Sequence, residues 1–269
     1  MHRARKAKDM NKDFIKELFN LHKKNVLVTG ATGQLGNEIC AAFVGAGAYV
    51  IGTDKDLDKK GQVESKNCEY LKMDITDKAS VIKTFKEIYA RLGKIDILVN
   101  NAGVSVFEPF AERPEESFDW VMDVNLKGTF FCIQAYAKHL KDAKSKGNIV
   151  NIASIYGILS PDYRIYTDCK RKNSEIYGAT KAGIIQMTKY FAVHLAEQKT
   201  RVNCVSPGGI INPELHQGDD FVKNYSNRCP MGRMADTKDI IGGILYLSSD
   251  ASEYVTGQNL VIDGGMSCW

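Results

Sequence analysis

The chain has 269 residues, enough for one large domain or two small ones with a buried core. Its 44% hydrophobic residues, with 23 glycines and 6 prolines, exclude collagen-like, low-complexity and wholly disordered proteins. A net charge of +4 does not indicate nucleic-acid binding, and no apolar run approaches the roughly 18 residues that span a bilayer, so neither nucleic acid nor a membrane is a predicted partner.

Residues 1–24 form a basic N-terminal extension without the apolar core of a secretory signal. Phe14, Ile15, Leu18 and Phe19 recur at helical spacing, which predicts a short amphipathic helix packed against the rest of the protein. Residues 25–269 contain no linker rich in proline or glycine, so we expect them to form a single domain.

Short β-rich runs alternate with longer helical patterns after this extension. Strands are predicted at 25–29, 48–53, 69–74, 95–100, 148–153, 201–206 and 259–263. Most are apolar on both faces, which is typical of a parallel sheet covered by helices on both sides. Helices are predicted at 34–46, 77–92, 114–141, 174–198 and 236–248. The alternation predicts an α/β fold with a doubly wound parallel sheet (Rossmann fold), seven strands in the order 3-2-1-4-5-6-7.

The first predicted strand runs into the glycine-rich segment TGATGQLG, residues 29–36, and then into a helix. Glycine permits positive φ and lets the backbone approach a pyrophosphate at a helix N-terminus, although such a turn can also serve packing alone. Asp54 ends the second strand, where a carboxylate accepts hydrogen bonds from ribose hydroxyls and repels a 2′-phosphate. The pattern predicts NAD in preference to NADP, with Lys55 as a neighbour that weakens the preference.

Three further residues suggest proton transfer. Tyr177 and Lys181 are four residues apart, on one face of a predicted helix, and a nearby ammonium stabilises a phenolate. The alternative for this pair alone is an exposed helical pair. Ser154 ends the fifth strand, at the edge where doubly wound sheets bind ligands, and its hydroxyl can donate to and accept from a substrate oxygen.

These motifs stand in a fixed order together with MD at 73–74, NNAG at 100–103, Asn125, PGG at 207–209 and YVTGQNLVIDGG near the C-terminus. In that order, the chain resembles the short-chain dehydrogenase/reductase family, in its compact single-domain branch. The resemblance implies hydride transfer between a nicotinamide cofactor and a secondary alcohol or ketone. Ser154 would orient the substrate oxygen, Tyr177 would transfer the proton and Lys181 would also bind ribose. Asn125 would hold a water that relays protons.

The resemblance also implies which residues bind the cofactor: Gly30, Gly33, Gln34, Leu35, Gly36, Asp54, Asp74, Ile75, Asn101, Ala102, Gly103, Tyr177, Lys181, Pro207, Gly208 and Ile210. Two positions depart from the compact pattern. Gln34 stands where a glycine is usual, and Asn212 stands where a threonine often contacts the carboxamide.

Residues 155–176 are predicted to be an insert that overhangs the site, because compact members place Ser154 and Tyr177 closer together. Tyr156, Tyr163 and Arg164 are its candidate substrate residues, since aromatic rings suit sugars and arginine suits phosphate or carboxylate. The alternative is a solvated loop whose basic run at 170–172 contacts nothing. The insert resembles that of flagellin modification protein A type members, which implies a substrate from a surface-carbohydrate pathway.

Three functions remain open at this stage. The first is an NAD-dependent oxidoreductase acting on a sugar, polyol or sugar nucleotide. The second is a reductase of 3-oxoacyl thioesters, and the third is a non-catalytic dinucleotide-binding sensor or scaffold. The family likeness implies a homodimer or homotetramer, the scattered cysteines favour the cytoplasm, and the histidine spacing predicts no metal site.

Overall fold

The computed structural model describes residues 12–58, 62–167, 172–213 and 217–269. Within them, one parallel sheet has the order β3-β2-β1-β4-β5-β6-β7, which confirms the predicted topology. The strands are β1 Asn25–Thr29, β2 Tyr49–Asp54, β3 Cys68–Lys72, β4 Ile97–Asn100, β5 Asn148–Ile152, β6 Arg201–Pro207 and β7 Asn259–Ile262. Each lies within two residues of its predicted bounds at either end.

The α-helices of the described residues are α1 Lys12–Leu18, α2 Gln34–Gly45, α3 Lys78–Leu92, α4 Glu115–Met122, α5 Thr129–Ala143, α6 Glu175–His194, α7 Asp219–Arg228 and α8 Thr237–Ser248. The helix predicted at 114–141 is α4 and α5 joined by a π-helical stretch, Asp123–Gly128. Helix α7 was not predicted, because its sequence is mostly polar and only Phe221 and Tyr225 are buried. None of these helices combines the length and apolarity that crossing a bilayer requires.

Helices cover both faces of the sheet because alternate strand residues point to opposite sides. In β1, Leu27 belongs to a buried cluster shared with α3 and α5, whereas Val26 and Val28 belong to one shared with α2 and α8. All strands are parallel, so their carboxyl ends meet along one edge of the sheet. That edge is where a ligand cleft is expected.

The amphipathic helix predicted in the basic extension is α1, which lies against the 3-10 turn Asp250–Ser252 but leaves much of its apolar face exposed. Phe14, Ile15 and Phe19 are 38%, 52% and 48% exposed. Beyond the helix, Leu21 is buried with the α2 cluster. Residues 1–11, with much of the basic charge, lie outside the described residues.

Candidate active site

A cavity of about 730 Å³ opens at the carboxyl edge of the sheet. Its wall includes residues that follow or end β1, β2, β4, β5 and β6: Gly30, Asp54, Asn101, Ser154 and Pro207. The structure brings every predicted cofactor residue to this one wall. Most of the predicted site therefore shares a single cleft.

The glycine-rich turn after β1 needs its glycines for conformation and for space. Gly30 has φ +64°, and a Cβ there would lie 2.6 Å from the Ala102 Cα. A Cβ on Gly36 would overlap the carbonyl oxygen of Gly30. Asn101 Nδ2 donates to the carbonyl oxygens of Thr29 and Gly30, each at 3.0 Å, and so fixes the turn to the loop after β4.

Helix α2 begins at this turn without a side-chain cap. Gly33 occupies the cap position and supplies no side-chain hydrogen bond to the first N–H groups of the helix. Such N–H groups, with the helix dipole, favour an anion. Gln34, which departs from the compact pattern, donates from Nε2 to the Ile211 carbonyl oxygen at 2.7 Å, so it links the turn to the segment after β6.

Acidic side chains mark the end of the cavity beside β2 and β3. Asp54 Oδ2 accepts hydrogen bonds from Thr32 Oγ1 at 2.7 Å and from Thr32 N at 3.2 Å. Asp74 Oδ1 accepts from Thr76 Oγ1 at 2.7 Å. The Lys55 ammonium lies 5.9 Å from the centre of the Trp120 ring. A carboxylate is therefore held in place at this end, with one lysine beside it.

Asn125 lies behind the cavity wall and is completely buried in the π-helical stretch. Its Oδ1 accepts from Val104 N at 2.8 Å, and its Nδ2 donates to Val104 O at 2.9 Å and to Thr180 Oγ1 at 3.1 Å. π-Helical turns often occur at functional sites because they redirect a side chain. Asn125 thus joins the loop after β4 to α6, and its predicted role in a water relay stays a prediction.

Tyr177 and Lys181 face the cavity from the first turns of α6, and Ser154 faces it from the end of β5. Ser174 caps this helix by accepting a hydrogen bond from Tyr177 N at 3.2 Å. The Lys181 Nζ donates to Ile152 O at 2.8 Å and lies 5.5 Å from the centre of the Tyr177 ring. The three side chains predicted for proton transfer are therefore brought together.

Burial has the largest influence on the pKa values of Tyr177 and Lys181. It raises the pKa of Tyr177, although a hydrogen bond with Ser154 acts in the opposite direction and lowers it. Burial also lowers the pKa of Lys181 to about 8. Burial alone therefore disfavours the phenolate, and positive charge near the phenol is needed to make Tyr177 an effective base.

The insert brings one of its three predicted substrate residues to the cavity. Tyr156 lines the cavity, together with Tyr166, which was not predicted. Tyr163 and Arg164 do not, because the 3-10 turn Tyr163–Ile165 directs them outward. The Arg164 side chain is 85% exposed and its Nε and Nη2 both bind Asp162 at 2.8 Å. Residues 170 and 171, two of the three residues in the predicted basic run, lie outside the described residues.

The inward side of the insert rests on α7. The Tyr166 and Phe221 rings have centres 5.0 Å apart, and Phe221 and Tyr225 line the cavity. Phe221 and Tyr225 were not predicted as site residues because helix α7 itself was not predicted. The four-residue spacing of these two aromatic residues within a polar run was a signal that could have indicated the helix.

Arg113 fastens the loop after β4 to the helix that carries Tyr177. Its side chain is 4% exposed and binds Glu108 Oε2 and Glu175 Oε1, each at 2.8 Å. Glu175 is the first residue of α6. We expect Arg113→Met to lower the free energy of unfolding by about 1–2 kcal/mol, because both carboxylates keep some contact with solvent after the loss.

Urea denaturation measures this effect. Arg164→Met is the matched control, since its guanidinium also pairs with a carboxylate but stands in solvent, and it should not change the midpoint measurably. Equal midpoints for Arg113→Met and the wild type would contradict the role given to Arg113.

Comparisons with known proteins place the chain in a family. Residues 30–267 match a family model described as enoyl-(acyl carrier protein) reductase. The ribulose-forming D-arabinitol 2-dehydrogenase of Candida tropicalis is 33% identical over 96% of this chain and 97% of its own length. This chain belongs to the short-chain dehydrogenase/reductase family. This chain is also similar to the 3-oxoacyl-(acyl-carrier-protein) reductase FabG of Thermotoga maritima, with 34% identity over 91% of this chain and 98% of that protein.

Solved structures agree with this assignment. A short chain dehydrogenase from Leptospira borgpetersenii with bound NAD+ has a TM-score of 0.89 and 40% identity, covering 99% of this chain and 100% of that one. A gluconate 5-dehydrogenase from Burkholderia cenocepacia in complex with NADP and tartrate has a TM-score of 0.84 and 28% identity, covering 95% and 99%. The protein is therefore an NAD(P)-dependent oxidoreductase that acts on CH–OH groups, and the family prediction is confirmed. The likeness of the insert to flagellin modification proteins stays a prediction.

Proposed function

We propose that this dehydrogenase oxidises a secondary alcohol of an uncharged polyol or free sugar with NAD, and reduces the corresponding ketone in reverse. The wall around Ser154 and Tyr177 carries the proposal. Within the described residues, the charged side chains of the cavity are Asp54, Lys55, Asp74 and Lys181. Beside the predicted proton-transfer residues, the part of the wall that the structure describes is aromatic and uncharged, which suits a sugar or polyol better than a phosphate.

The chain's own residues divide the work of the reaction. Ser154 Oγ orients the substrate hydroxyl, and Tyr177 Oη accepts its proton as the carbonyl forms. Lys181 favours the phenolate form of Tyr177 by its charge. Asn125 links the loop after β4 to helix α6, so that the wall opposite Ser154 stays in place. NAD, when bound, supplies the hydride acceptor.

The residues at the other end of the cavity fit a dinucleotide. The uncapped start of α2 and the close approach of Gly30 to Ala102 make a cradle for a pyrophosphate. The acidic end would hold the adenosine through Asp54, Asp74 and Ile75, and Pro207, Gly208 and Ile210 would border the nicotinamide. The NAD+ bound to the Leptospira relative supports a nicotinamide dinucleotide as the cofactor of this cavity.

We expect NAD to be preferred because the Asp54 carboxylate is fixed where a ribose 2′-phosphate would be repelled. Asp54→Asn keeps an oxygen that can accept from Thr32 but removes the charge. The ratio of kcat/KM for NAD to that for NADP should fall by about tenfold or more in this variant. Asp56→Asn is the matched control two residues further along the chain, and it should leave the ratio unchanged. A wild type that prefers NADP would contradict the assignment.

The proposed function is tested by NADH formation from NAD with polyols, free sugars, sugar phosphates and nucleotide sugars. D-arabinitol is included because the Candida tropicalis relative is named for it. Turnover of uncharged polyols or sugars is the expected result. Turnover of phosphorylated or nucleotide-linked sugars alone would contradict the uncharged substrate.

Two other outcomes would point to the alternatives. Reduction of a 3-oxoacyl thioester with no polyol activity would favour the activity named for the FabG relative. Dinucleotide binding without turnover of any substrate would favour a sensor or scaffold. The homodimer or homotetramer and the cytoplasmic location stay predictions; Tyr190 and Val193 on α6, 58% and 80% exposed, offer apolar surface for self-association.

A further inference from the structure

The turn that follows β6 is a thin wall between two cavities. Gly208 and Gly209 line the main cavity on one side and, on the other, a second cavity of about 190 Å³. The backbone of the turn is tied to its neighbours, since Gly208 N donates to Ile262 O and Gly209 O accepts from Ala235 N, each at 2.9 Å. Because glycine has no side chain and both faces of the turn border open space, the turn depends on its neighbours to stay in place.

Tyr225 of α7 contacts this turn directly. Its Oη accepts a hydrogen bond from Gly209 N. A Cβ on Gly209 would lie 2.7 Å from Cε2 of the tyrosine ring, and a Cβ on Gly208 would lie 3.0 Å from Oη. The two glycines therefore leave the space that the phenol fills, and Tyr225 is only 2% exposed. The phenol thus fixes where the backbone of the turn lies.

The same tyrosine belongs to the aromatic wall of the main cavity. Its ring centre lies 6.1 Å from that of Phe221, which lies 5.0 Å from that of Tyr166 in the insert. All three residues are buried in one apolar cluster and line the main cavity. Tyr225 therefore joins the wall proposed to hold the substrate to the turn proposed to border the nicotinamide.

We propose that Tyr225 is a positioning residue for hydride transfer, because it holds the turn after β6 in place and thereby sets how the nicotinamide faces the substrate. The inference rests on the proposed function, which puts the nicotinamide beside Pro207, Gly208 and Ile210. A displacement of about 1 Å between reacting groups can cost about a hundredfold in rate. Burial raises the pKa of Tyr225 to about 12, although the hydrogen bond from Gly209 acts in the opposite direction, so the phenol stays protonated near neutral pH.

The test measures hydride transfer itself, in single turnovers of the full-length protein at saturating NAD and substrate, followed by the absorbance of NADH. Tyr225→Phe keeps the ring and loses the oxygen that binds Gly209. The rate constant of hydride transfer should fall by about tenfold or more, whereas the dissociation constant of NADH should stay within about threefold of the wild type. The pH midpoint of oxidation should not shift, since the phenol of Tyr225 does not titrate near neutral pH.

Tyr136→Phe is the matched control. Tyr136 is also a fully buried tyrosine whose hydroxyl binds the backbone, donating to Asp96 O at 2.9 Å and accepting from Asn148 N at 3.3 Å, but it does not line the main cavity. Its replacement should lower the melting temperature and leave the rate constant of hydride transfer within about twofold of the wild type. The pair of variants separates lost stability from lost positioning.

Gly209→Ala disturbs the same contact from the other side, because its Cβ would press on the ring of Tyr225. It should also slow hydride transfer, and the double variant with Tyr225→Phe should be slowed by less than the product of the two single effects. Gly242→Ala on α8 is the control for this change, since a Cβ there meets no atom of the described chain within 4 Å. Multiplicative effects would show that the two residues act separately and would contradict the inference.

The failure of this inference and that of the proposed function are distinguishable. If the wild type oxidises a polyol or free sugar and Tyr225→Phe transfers hydride at the wild-type rate, the role of Tyr225 is overturned while the proposed function stands. If the wild type reduces only the 3-oxoacyl thioester, the proposed function fails. The loss of NADH absorbance in that direction then supports the role of Tyr225 if it is slower in Tyr225→Phe and overturns it if it is not. If no substrate of either kind is turned over, both fail.

Discussion

Tyr177→Phe is expected to lower kcat for alcohol oxidation by about a thousandfold or more. The variant keeps the ring and loses only the hydroxyl that faces the cavity beside Ser154. Positioned general acid–base groups contribute about 10²–10⁴-fold to rate, so loss of the proton acceptor should cost a large part of the activity. The dissociation constant of NADH should stay within about threefold of the wild type, because the aromatic ring is retained.

Tyr190→Phe provides the matched control on the same helix. Tyr190 is 58% exposed, so removal of its hydroxyl should leave kcat unchanged. Steady-state rates of NADH formation and fluorescence titration with NADH measure the two quantities. A Tyr177→Phe enzyme that keeps more than about a tenth of wild-type kcat would remove Tyr177 from the proposed mechanism.

Lys181→Met should have the second-largest effect, a fall in kcat of about a hundredfold near neutral pH. Methionine replaces a buried ammonium that donates to Ile152 O with an uncharged chain of similar length. Burial already raises the pKa of Tyr177, and without the ammonium nothing in the pair opposes that rise by charge. The phenolate becomes scarcer, and oxidation slows with it.

The pH profile separates this role from a structural one. The general base must be deprotonated, so oxidation by the wild type rises with pH. Burial lowers the pKa of Lys181 to about 8, so its side chain still carries the charge that favours the phenolate near neutral pH. In Lys181→Met the pKa of Tyr177 lies higher, so the rise shifts to higher pH. Lys189→Met, an exposed lysine on α6, should leave the profile unchanged. An unshifted midpoint in Lys181→Met would show that Lys181 does not tune the phenol.

The sheet could be predicted from sequence because its strands are apolar on both faces and bounded by turns. Their order was predicted from the rules for connections between parallel strands. The glycine-rich turn was equally predictable from sequence, since a position such as Gly36 tolerates no side chain beside the Gly30 carbonyl. Local chemistry and global fold agree at these positions.

The substrate side of the site was harder to predict from sequence. Helix α7 is mostly polar and is held by tertiary contacts of Phe221 and Tyr225, which a local pattern does not reveal. Arg164 suggested an anion site, yet Asp162, two residues earlier, occupies its guanidinium.

The most direct test of the central claim is to follow deuterium from the reacting carbon. The protein is incubated with NAD and D-arabinitol that carries deuterium on its secondary carbinol carbons, and the NADH formed is analysed by mass spectrometry. We predict one deuterium per NADH and a primary isotope effect on kcat/KM, with no product above background in Tyr177→Phe. Unlabelled NADH, or no NADH from any polyol or free sugar in the panel, would contradict the proposed oxidation.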